Sequence, residues 1–289
     1  MNDALHLIER HLPECSKAQR KISSFLIEHS ASAVGMTAAK LAQTVGTSES
    51  TVVRFATELG YPGYPELQTA LRESVRDSLT SVQRMELAHT EDGKPAYARS
   101  MRTDIENIKR TLADMDAGVL DRVAERLAGA RRIYILGTRS ASSLAMFLNF
   151  YLEQLFDDVR LVQASSGSEI LDQLFPVGKN DVVVGISFPR YSRRTVDAMD
   201  FSRKKGAFVC AITDGVNSPL SDLADEAIYA YNENESFADS LVAPMAVLNA
   251  LIASVVAKKP EEFADRLSKL EEVWSEYGVY SRGAAPSAR

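Results

Sequence analysis

The periodicity of the apolar residues changes partway along the chain, and this change constrains the fold more than any other feature. From residue 1 to about residue 80 the apolar residues recur at spacings of three and four, as in "AQRKISSFLIEHS", which is typical of helices with one buried face. From Arg131 onward, short apolar runs alternate with helical segments. An all-helical first part and a strand–helix second part predict two domains of different architecture.

The alternating part predicts a parallel sheet covered by helices. Five runs are expected to be strands: "RIYILG", "VRLVQA", "DVVVGIS", "FVCAIT" and "AIYAY". Runs such as "DVVVGI" lack the alternation of a strand with one solvated face, so both faces should be buried. We therefore predict an α/β protein, in which an all-α N-terminal domain precedes an αβα sandwich with a five-stranded parallel sheet and right-handed crossovers.

The domain boundaries follow from where these patterns begin and end. Residues 1–80 are predicted to form the helical domain and residues 81–100 a linker, whose centre "HTEDGKP" is polar and contains Gly and Pro. Residues 101–280 form the second domain, with amphipathic helices before the first strand and a terminal helix after the last. Residues 281–289 are expected to be a disordered tail.

Composition and charge argue against several classes of protein. No apolar run reaches the roughly 18 residues that a membrane-spanning helix requires, and the acids and histidines of "MNDALHLIERHLPECS" do not fit a secretory signal. Cys15 and Cys210 form no metal or redox motif, so we expect a cytoplasmic protein with no metal and no cofactor. The net charge of −6 predicts no general attraction to nucleic acid. Any DNA binding must come from a local surface.

The segment "AAKLAQTVGTSESTVVRFATELG" has the pattern of a helix-turn-helix. Ala42 is small enough for two helices to cross closely, and Gly46 suits a turn that needs a positive φ. Thr37 and Ser48 are expected to cap the two helices. The buried face should contain Leu41, Val45, Val52 and Phe55. The outward residues expected to meet bases and phosphates are Thr47, Ser48, Glu49, Ser50, Thr51, Val53 and Arg54.

An ordinary helical hairpin is the alternative for this segment, because turns that contain glycine join helices in many proteins. Charge also argues mildly against DNA binding: residues 1–80 carry eight Lys or Arg against nine Asp or Glu, a net of −1. Binding to double-stranded DNA should then use few phosphate contacts per subunit and require a homodimer or homotetramer. We expect Lys40 and Arg54 to lead those contacts and interpret Arg20 and Lys21 as solvated helix residues.

Three predicted strands end in loops that carry hydroxyl groups, at the sheet edge where open parallel sheets bind ligands. These loops are "GTRSAS" (137–142), "QASSGSE" (163–169) and "SFPRYS" (187–192). Amides and hydroxyls at helix N-termini favour an anion. The predicted ligand-binding residues are Gly137, Thr138, Arg139, Ser140, Ser142, Ser187, Arg190, Tyr191 and Ser192, with Ser165, Ser166 and Ser168 as further candidates.

The serines also have a simpler explanation, because Ser is common at helix N-caps. Ser140 or Ser142, Ser168 and Ser192 all precede or begin predicted helices. The set of three loops at one edge favours a ligand more than any single serine does.

The first domain resembles the RpiR family of bacterial transcriptional regulators through "CSKAQRKISSFLIEH" and "TSESTVVRFATELGYPGYPELQTAL". The resemblance implies a second domain of the sugar isomerase (SIS) type. Its first loop is matched by "GTRSAS", and its Ser-x-Ser-Gly-x-Thr loop corresponds to residues 187–192, where the middle Ser-Gly has become Pro189-Arg190. Proline removes one amide that would face a phosphate, whereas arginine adds charged donors. Arg139 in the first loop supports the same interpretation, an anionic ligand held partly by arginine.

SIS modules also catalyse aldose–ketose isomerisation, which needs a general base and often a histidine. The four histidines, His6, His11, His29 and His89, all lie at or before the linker. The candidate bases Glu153, Glu169 and Glu235 lie in no recognisable catalytic motif. We therefore predict no catalytic residues and a transcriptional regulator that senses a small anionic metabolite, with a sugar phosphate first and a carboxylated metabolite second. A sugar-phosphate isomerase and a DNA-binding scaffold that only oligomerises through the SIS fold stay open.

Overall fold

A computed structural model describes residues 4–75, 80–88, 95–163, 166–234 and 236–280. The chain divides into two compact units. The N-terminal unit comprises Met1–Ser100 with Asn234–Ala238, and the C-terminal unit comprises Met101–Glu233 with Asp239–Arg289. The predicted tail, residues 281–289, and most of "HTEDGKP" lie outside the described residues.

The described part of the N-terminal unit is helical, as predicted. The helices are α1 (Ala4–His11), α2 (Lys17–Glu28), α3 (Ser30–Ala33), α4 (Ala38–Val45), α5 (Glu49–Glu58), α6 (Tyr64–Val75) and α7 (Ser81–Ala88), with a 3₁₀ turn at Leu12–Glu14. Ile22, Leu26, Leu67 and Leu71 are fully buried in one shared core. Helix α7 and the start of the next helix, α8 (Ala96–Asp114), fall inside the predicted linker, so this segment is partly helical.

The C-terminal unit is an αβα sandwich around five parallel strands, and the predicted architecture is confirmed. After α8 come α9 (Ala117–Ala128), β1 (Arg132–Gly137), a 3₁₀ turn (Arg139–Ala141), α10 (Ser142–Leu155), β2 (Val159–Val162), α11 (Gly167–Leu174), β3 (Asp181–Ile186), α12 (Arg193–Lys204), β4 (Phe208–Thr213), β5 (Glu226–Tyr229), α13 (Val242–Lys258) and α14 (Pro260–Glu276). The strand order is β2-β1-β3-β4-β5.

Both faces of the sheet are covered, which explains the uninterrupted apolar runs. Ile133 and Ile135 of β1 pack in one core with α9, α10 and α13, whereas Tyr134 and Leu136 pack in a second core with α11 and α12. On β3, a Cβ at Gly185 would overlap the side chain of Met199 on α12, so glycine lets this buried methionine pack closely against the strand.

The last two helices, α13 and α14, pack on the same side of the sheet as α9 and α10. Val247, Leu248 and Leu251 of α13 are buried, as expected for a core helix. Arg266 of α14 donates hydrogen bonds to the backbone oxygens of Gln154 (2.9 Å) and Phe156 (3.0 Å), so the terminal helix packs on this unit. Within the described residues, no single helix has both the length and the apolar character to cross a membrane. The bent pair α13–α14 meets that test only when its two helices are counted together.

The strand order creates a switch point between β1 and β3. The chain moves outward from β1 to β2 on one side and from β3 to β4 and β5 on the other. The last residues of the two central strands, Gly137 and Ile186, are register partners. The loops that follow them therefore begin side by side and diverge, which forms the crevice where open α/β sheets bind ligands.

Candidate DNA-binding surface and anion site

Helices α4 and α5 pack against each other as the two helices of a helix-turn-helix. Thr37 Oγ1 accepts a hydrogen bond from Lys40 N (3.2 Å), and Ser48 Oγ accepts one from Thr51 N (3.3 Å). These two side chains satisfy amides that lack partners inside the helices. Both predicted caps are confirmed.

The turn between the helices requires glycine for its conformation. Gly46 has φ +70° and ψ +50°, the left-handed region that disfavours residues with a Cβ. Thr47 N donates to Ala42 O at 2.9 Å, which closes the end of α4. A Cβ at Gly46 would meet only Lys21 Nζ, at 3.9 Å. The predicted positive φ is confirmed. Glycine is favoured here by the backbone conformation and not by crowding around the Cβ position.

The buried and exposed faces follow the predicted pattern. Leu41, Val52 and Phe55 are fully buried and Val45 is half-buried. The residues with exposed side chains in the predicted contact set are Lys40, Ser48, Glu49, Ser50, Val53 and Arg54, and the half-buried ones are Thr47 and Thr51. Their contact with DNA stays a prediction.

The family motif "GYPGYPELQ" supports the start of the helix-turn-helix, a role that the sequence analysis missed. Tyr64 OH donates to Met36 O at 3.0 Å, and Gln68 Nε2 donates to Val34 O and Met36 O, both at 2.9 Å. Burial raises the pKa of Tyr64 to about 12, so the hydroxyl stays a donor at neutral pH. Helix α6 thus fixes the segment that leads into α4, and no local pattern in the sequence indicates this long-range contact.

Three cations share one exposed face of α2. Lys17, Arg20 and Lys21 line an open groove of about 470 Å³ that also touches Val45 at the end of α4. The interpretation of Arg20 and Lys21 as solvated agrees with their exposure. Two further features were not predicted from the sequence. Lys17 lies on the same face as Arg20 and Lys21, and Lys21 lies beside the turn of the helix-turn-helix.

The first loop of the C-terminal unit leaves β1 at Gly137. A Cβ there would lie 2.5 Å from Ala141 O and 3.2 Å from Ala145 Cβ, so glycine is required for packing of the loop on its own strand. Gly137 is also buried. The structure therefore gives this residue a packing role, and its predicted role in ligand binding stays untested.

Two arginines in the predicted ligand loops have a left-handed backbone. Arg139 has φ +57° and Arg190 has φ +61°, and no other non-glycine residue among those described has a positive φ. Such a conformation costs about 1–2 kcal/mol for a residue with a Cβ. Arg190 stands where the Ser-x-Ser-Gly-x-Thr pattern has glycine, and it adopts a left-handed conformation that glycine would reach without strain. Both arginine side chains are exposed.

Hydrogen bonds order the loop after β3. Ser187 Oγ accepts from Ser192 N at 3.1 Å, and Tyr191 OH donates to Asp214 Oδ1 at 2.9 Å. Thr213, the last residue of β4, donates to the same carboxylate oxygen at 3.1 Å. Asp214 therefore belongs to this edge of the sheet, and the sequence analysis missed it because its partner is 23 residues away.

Several of the predicted serines bond within the protein. Ser142 Oγ donates to Arg139 O at 2.6 Å, which supports the left-handed turn. Ser166 caps α11 in a reciprocal pair with Glu169, so the cap is Ser166 and not Ser168. Ser192 occupies the N-cap position of α12 without a side-chain cap bond. Ser165 and Glu235 lie outside the described residues.

The loops after β1 and β3 come together, as predicted from the sheet. Thr138 Oγ1 lies 3.3 Å from Thr195 Oγ1 of α12, which links the first loop to the helix that follows the third. The two units therefore define a class of protein in which a helix-turn-helix precedes an αβα sandwich with polar loops at its switch point.

Comparison with known proteins gives the family. Residues 2–78 match the helix-turn-helix domain of the rpiR family, and residues 126–254 match the SIS domain. The chain belongs to the RpiR family of transcriptional regulators, as the sequence motifs indicated. It is similar to the HTH-type transcriptional regulator HexR of Pseudomonas aeruginosa, with 25% identity over 94% of this chain and 95% of that protein.

Two solved structures share the fold. The sugar isomerase domain of an RpiR transcription factor from Sphaerobacter thermophilus has a TM-score of 0.59 and 24% identity, covering 62% of this chain and 99% of that one. The Vibrio vulnificus NanR protein complexed with ManNAc-6P has a TM-score of 0.60 and 22% identity, covering 96% of this chain and all of that one. This chain is thus an HTH-type regulator with a SIS domain.

Proposed function

We propose that this regulator binds a sugar phosphate at the loops after β1 and β3 and that the bound anion changes its affinity for operator DNA. The observation that carries the proposal is the pair of left-handed arginines, Arg139 and Arg190, in two neighbouring loops at the switch point. Strained backbone persists where a function requires it. A guanidinium supplies the paired charged donors that suit a phosphate or a carboxylate.

The identity of the anion is inferred from chemistry and family. The relative NanR is complexed with ManNAc-6P, which supports a sugar phosphate over other anions. Pro189 removes one amide that a phosphate would use, and Arg190 supplies charge in its place. A carboxylated sugar derivative is the second candidate, because a carboxylate accepts the same paired donors.

The DNA-binding surface is proposed to be the N-terminal part of α5. Ser48, Glu49, Ser50 and Arg54 are exposed there, where a helix-turn-helix meets base edges. Lys40 and the cations of α2 would add phosphate contacts around the turn. Because residues 1–80 have a net charge of −1, these local cations must supply the attraction to the DNA phosphates. With so few phosphate contacts per subunit, tight DNA binding requires a homodimer or homotetramer. We propose that this oligomer acts in the cytoplasm.

The same site is proposed to sense without catalysis. Residues 101–289 contain no histidine, and Glu169, one of the candidate bases, is engaged in the cap of α11. Isomerisation of a sugar phosphate needs a positioned general base and often a histidine that opens the sugar ring. These two observations therefore favour a sensor over an isomerase.

The test measures DNA affinity with and without ligand on the full-length protein. A duplex selected by the protein from a random library is labelled, and its dissociation constant is followed by anisotropy at fixed salt in a panel of sugar phosphates and sugar acids. We expect at least one phosphorylated sugar to raise the melting midpoint and to change DNA affinity fivefold or more, without being converted.

Two arginine variants make the test specific. Arg190→Ala should abolish the response, whereas Arg193→Ala should keep it, because Arg193 is 93% exposed and pairs with Asp197 on the first turns of α12. A midpoint shift with no change in DNA affinity would refute the coupling, and turnover would favour the isomerase. No midpoint shift with any compound would favour the scaffold.

A further inference from the structure

From Met101 onward, helix α8 belongs to the C-terminal unit and packs on it through polar side chains. Asn107 and Thr111 are its buried residues. Asn107 Nδ2 donates to Glu233 O at 2.7 Å, and Thr111 Oγ1 accepts from Tyr231 N at 3.0 Å. Arg110 pairs with Glu233 Oε1 at 2.9 Å, and its guanidinium lies 3.9 Å from the centre of the Tyr231 ring. The helix is therefore held in place by hydrogen bonds and charge and not by its apolar residues.

The apolar residues of α8 lie on a solvent-exposed face that is centred roughly 110° around the helix from Asn107 and Thr111, at about 100° per residue. Met101 is 63% exposed, Ile105 52%, Ile108 37% and Leu112 73%. A helix on the surface of a globular protein normally directs this stripe toward the core. Here the stripe lies in solvent beside the buried polar face, and a contiguous exposed apolar stripe of this kind marks an interaction surface. We call these four residues the α8 seam.

The spacing of the α8 seam specifies what can cover it. The intervals between successive residues are four, three and four, which is the a/d repeat of a coiled coil. Such residues insert between side chains of a partner helix that carries the same repeat. A second copy of this chain offers an identical seam, so the surface is self-complementary, as a two-fold interface requires.

We infer that the α8 seam pairs with the α8 seam of a second copy and forms the dimer. This inference rests on the oligomer in the proposed function and identifies the surface that builds it. Because α8 begins in the N-terminal unit and continues into the C-terminal unit, pairing here joins two DNA-binding units in one particle, as two operator half-sites demand.

The surroundings of the seam fit an interface core with a polar rim. The four side chains are 37% to 73% exposed and would form the apolar core of the interface, and residues around them would complete the ~800 Å² that each partner contributes to an interface of standard size. Glu106 and Lys109 beside the seam form an exposed pair at 3.7 Å, next to Arg102. This flank carries charges of both signs, so Glu106 of one copy can pair with Arg102 or Lys109 of the other.

The first experiment measures the mass of the full-length protein in solution by sedimentation equilibrium. We expect Ile105→Glu combined with Leu112→Glu to halve the mass of the wild-type particle, to 31.7 kDa if the wild type is a dimer. The circular dichroism spectrum and melting midpoint of the C-terminal unit should be kept, because both side chains are exposed. Phe175→Glu combined with Val216→Glu is the matched control, since these residues are 71% and 67% exposed elsewhere on the unit and should leave the mass unchanged.

A second readout detects the contact directly. Cys15 and Cys210 are both buried, so a cysteine placed on the surface reports only on its own position. Among single Met101→Cys, Ile105→Cys, Ile108→Cys and Leu112→Cys variants, at least one should form a disulfide between copies under mild oxidation, because paired seams bring some Cα atoms within about 7 Å. Val216→Cys should stay uncrosslinked.

The outcomes separate this inference from the proposed function. A wild-type monomer, or an oligomer that survives the glutamate substitutions without crosslinking at the seam, overturns the α8 pairing and leaves metabolite binding to its own test. Halved mass and seam crosslinks in a protein that responds to no metabolite support the pairing and reject the sensor.

Discussion

The helix-turn-helix and the proposed anion site use the same left-handed backbone conformation with different residues. In the N-terminal unit, Gly46 adopts φ +70° and has open space around its Cα. In the C-terminal unit, Arg139 and Arg190 adopt φ +57° and +61° and retain long charged side chains. Where the chain only has to turn, glycine does so without strain. At the two arginines the protein tolerates the strain, which is typical of functional sites and supports the proposal that these side chains bind a ligand.

The glycine in the first loop of the proposed anion site is present for another physical reason. Gly137 is not left-handed, but a Cβ there would lie 2.5 Å from a backbone oxygen. These positions represent three cases: glycine for space at Gly137, glycine for conformation at Gly46, and arginine in a glycine conformation at Arg139 and Arg190. Each case predicts a different change in stability on substitution.

Gly137→Ala should have the largest effect. The Cβ meets the carbonyl of Ala141, which cannot move without disturbing the start of α10, so we expect a loss of about 3 kcal/mol in the free energy of unfolding. Urea denaturation measures it. Gly178→Ala is the matched control, because nothing lies within 4 Å of its Cβ position, and it should stay within about 0.5 kcal/mol of wild type. Equal effects at the two positions would contradict the packing role of Gly137.

Gly46→Ala should have an intermediate effect. The left-handed conformation costs alanine 1–2 kcal/mol, and the smaller entropy of the unfolded chain returns part of it, so the net loss is about 1 kcal/mol. Gly46→Asn should lose less, because Asn tolerates this conformation better than other residues with a Cβ. Thermal denaturation compares the two. An alanine variant as stable as the asparagine variant would mean that the turn can relax.

More of the helix-turn-helix than of the ligand loops could be predicted from the sequence, and the reason is physical. The helix-turn-helix is local: the caps at Thr37 and Ser48, the turn at Gly46 and the buried positions all follow from residues a few places apart. The five parallel strands were also predictable, because burial on both faces leaves long apolar runs. The Tyr191–Asp214 hydrogen bond and the support of α4 by Tyr64 join distant residues. Periodicity contains no information on such contacts.

The exposed seam of α8 shows the same limit. The sequence predicts the amphipathic helix but not which face it buries, and the natural expectation is that the apolar face packs inward. The buried Asn107 and Thr111 reverse that expectation. Their partners, Glu233 and Tyr231, lie more than 100 residues away, so only the fold reveals the reversal.

Arg190→Gly should have the smallest effect on stability and the clearest effect on function. Glycine relieves the left-handed strain but adds entropy to the unfolded chain, so the two terms nearly offset and leave a gain of roughly 0.5 kcal/mol in the free energy of unfolding.

Arg190→Ala keeps the strain and removes the charge. If the arginine is retained for a ligand, both variants should bind the anion at least about tenfold more weakly, as expected for a lost charge-assisted hydrogen bond. Calorimetric titration measures the affinity of both variants for the sugar phosphate that raises the melting midpoint of the wild type. Wild-type affinity in Arg190→Gly would mean that the strained arginine serves no ligand, and the contrast between Gly46 and Arg190 would then lose its functional meaning.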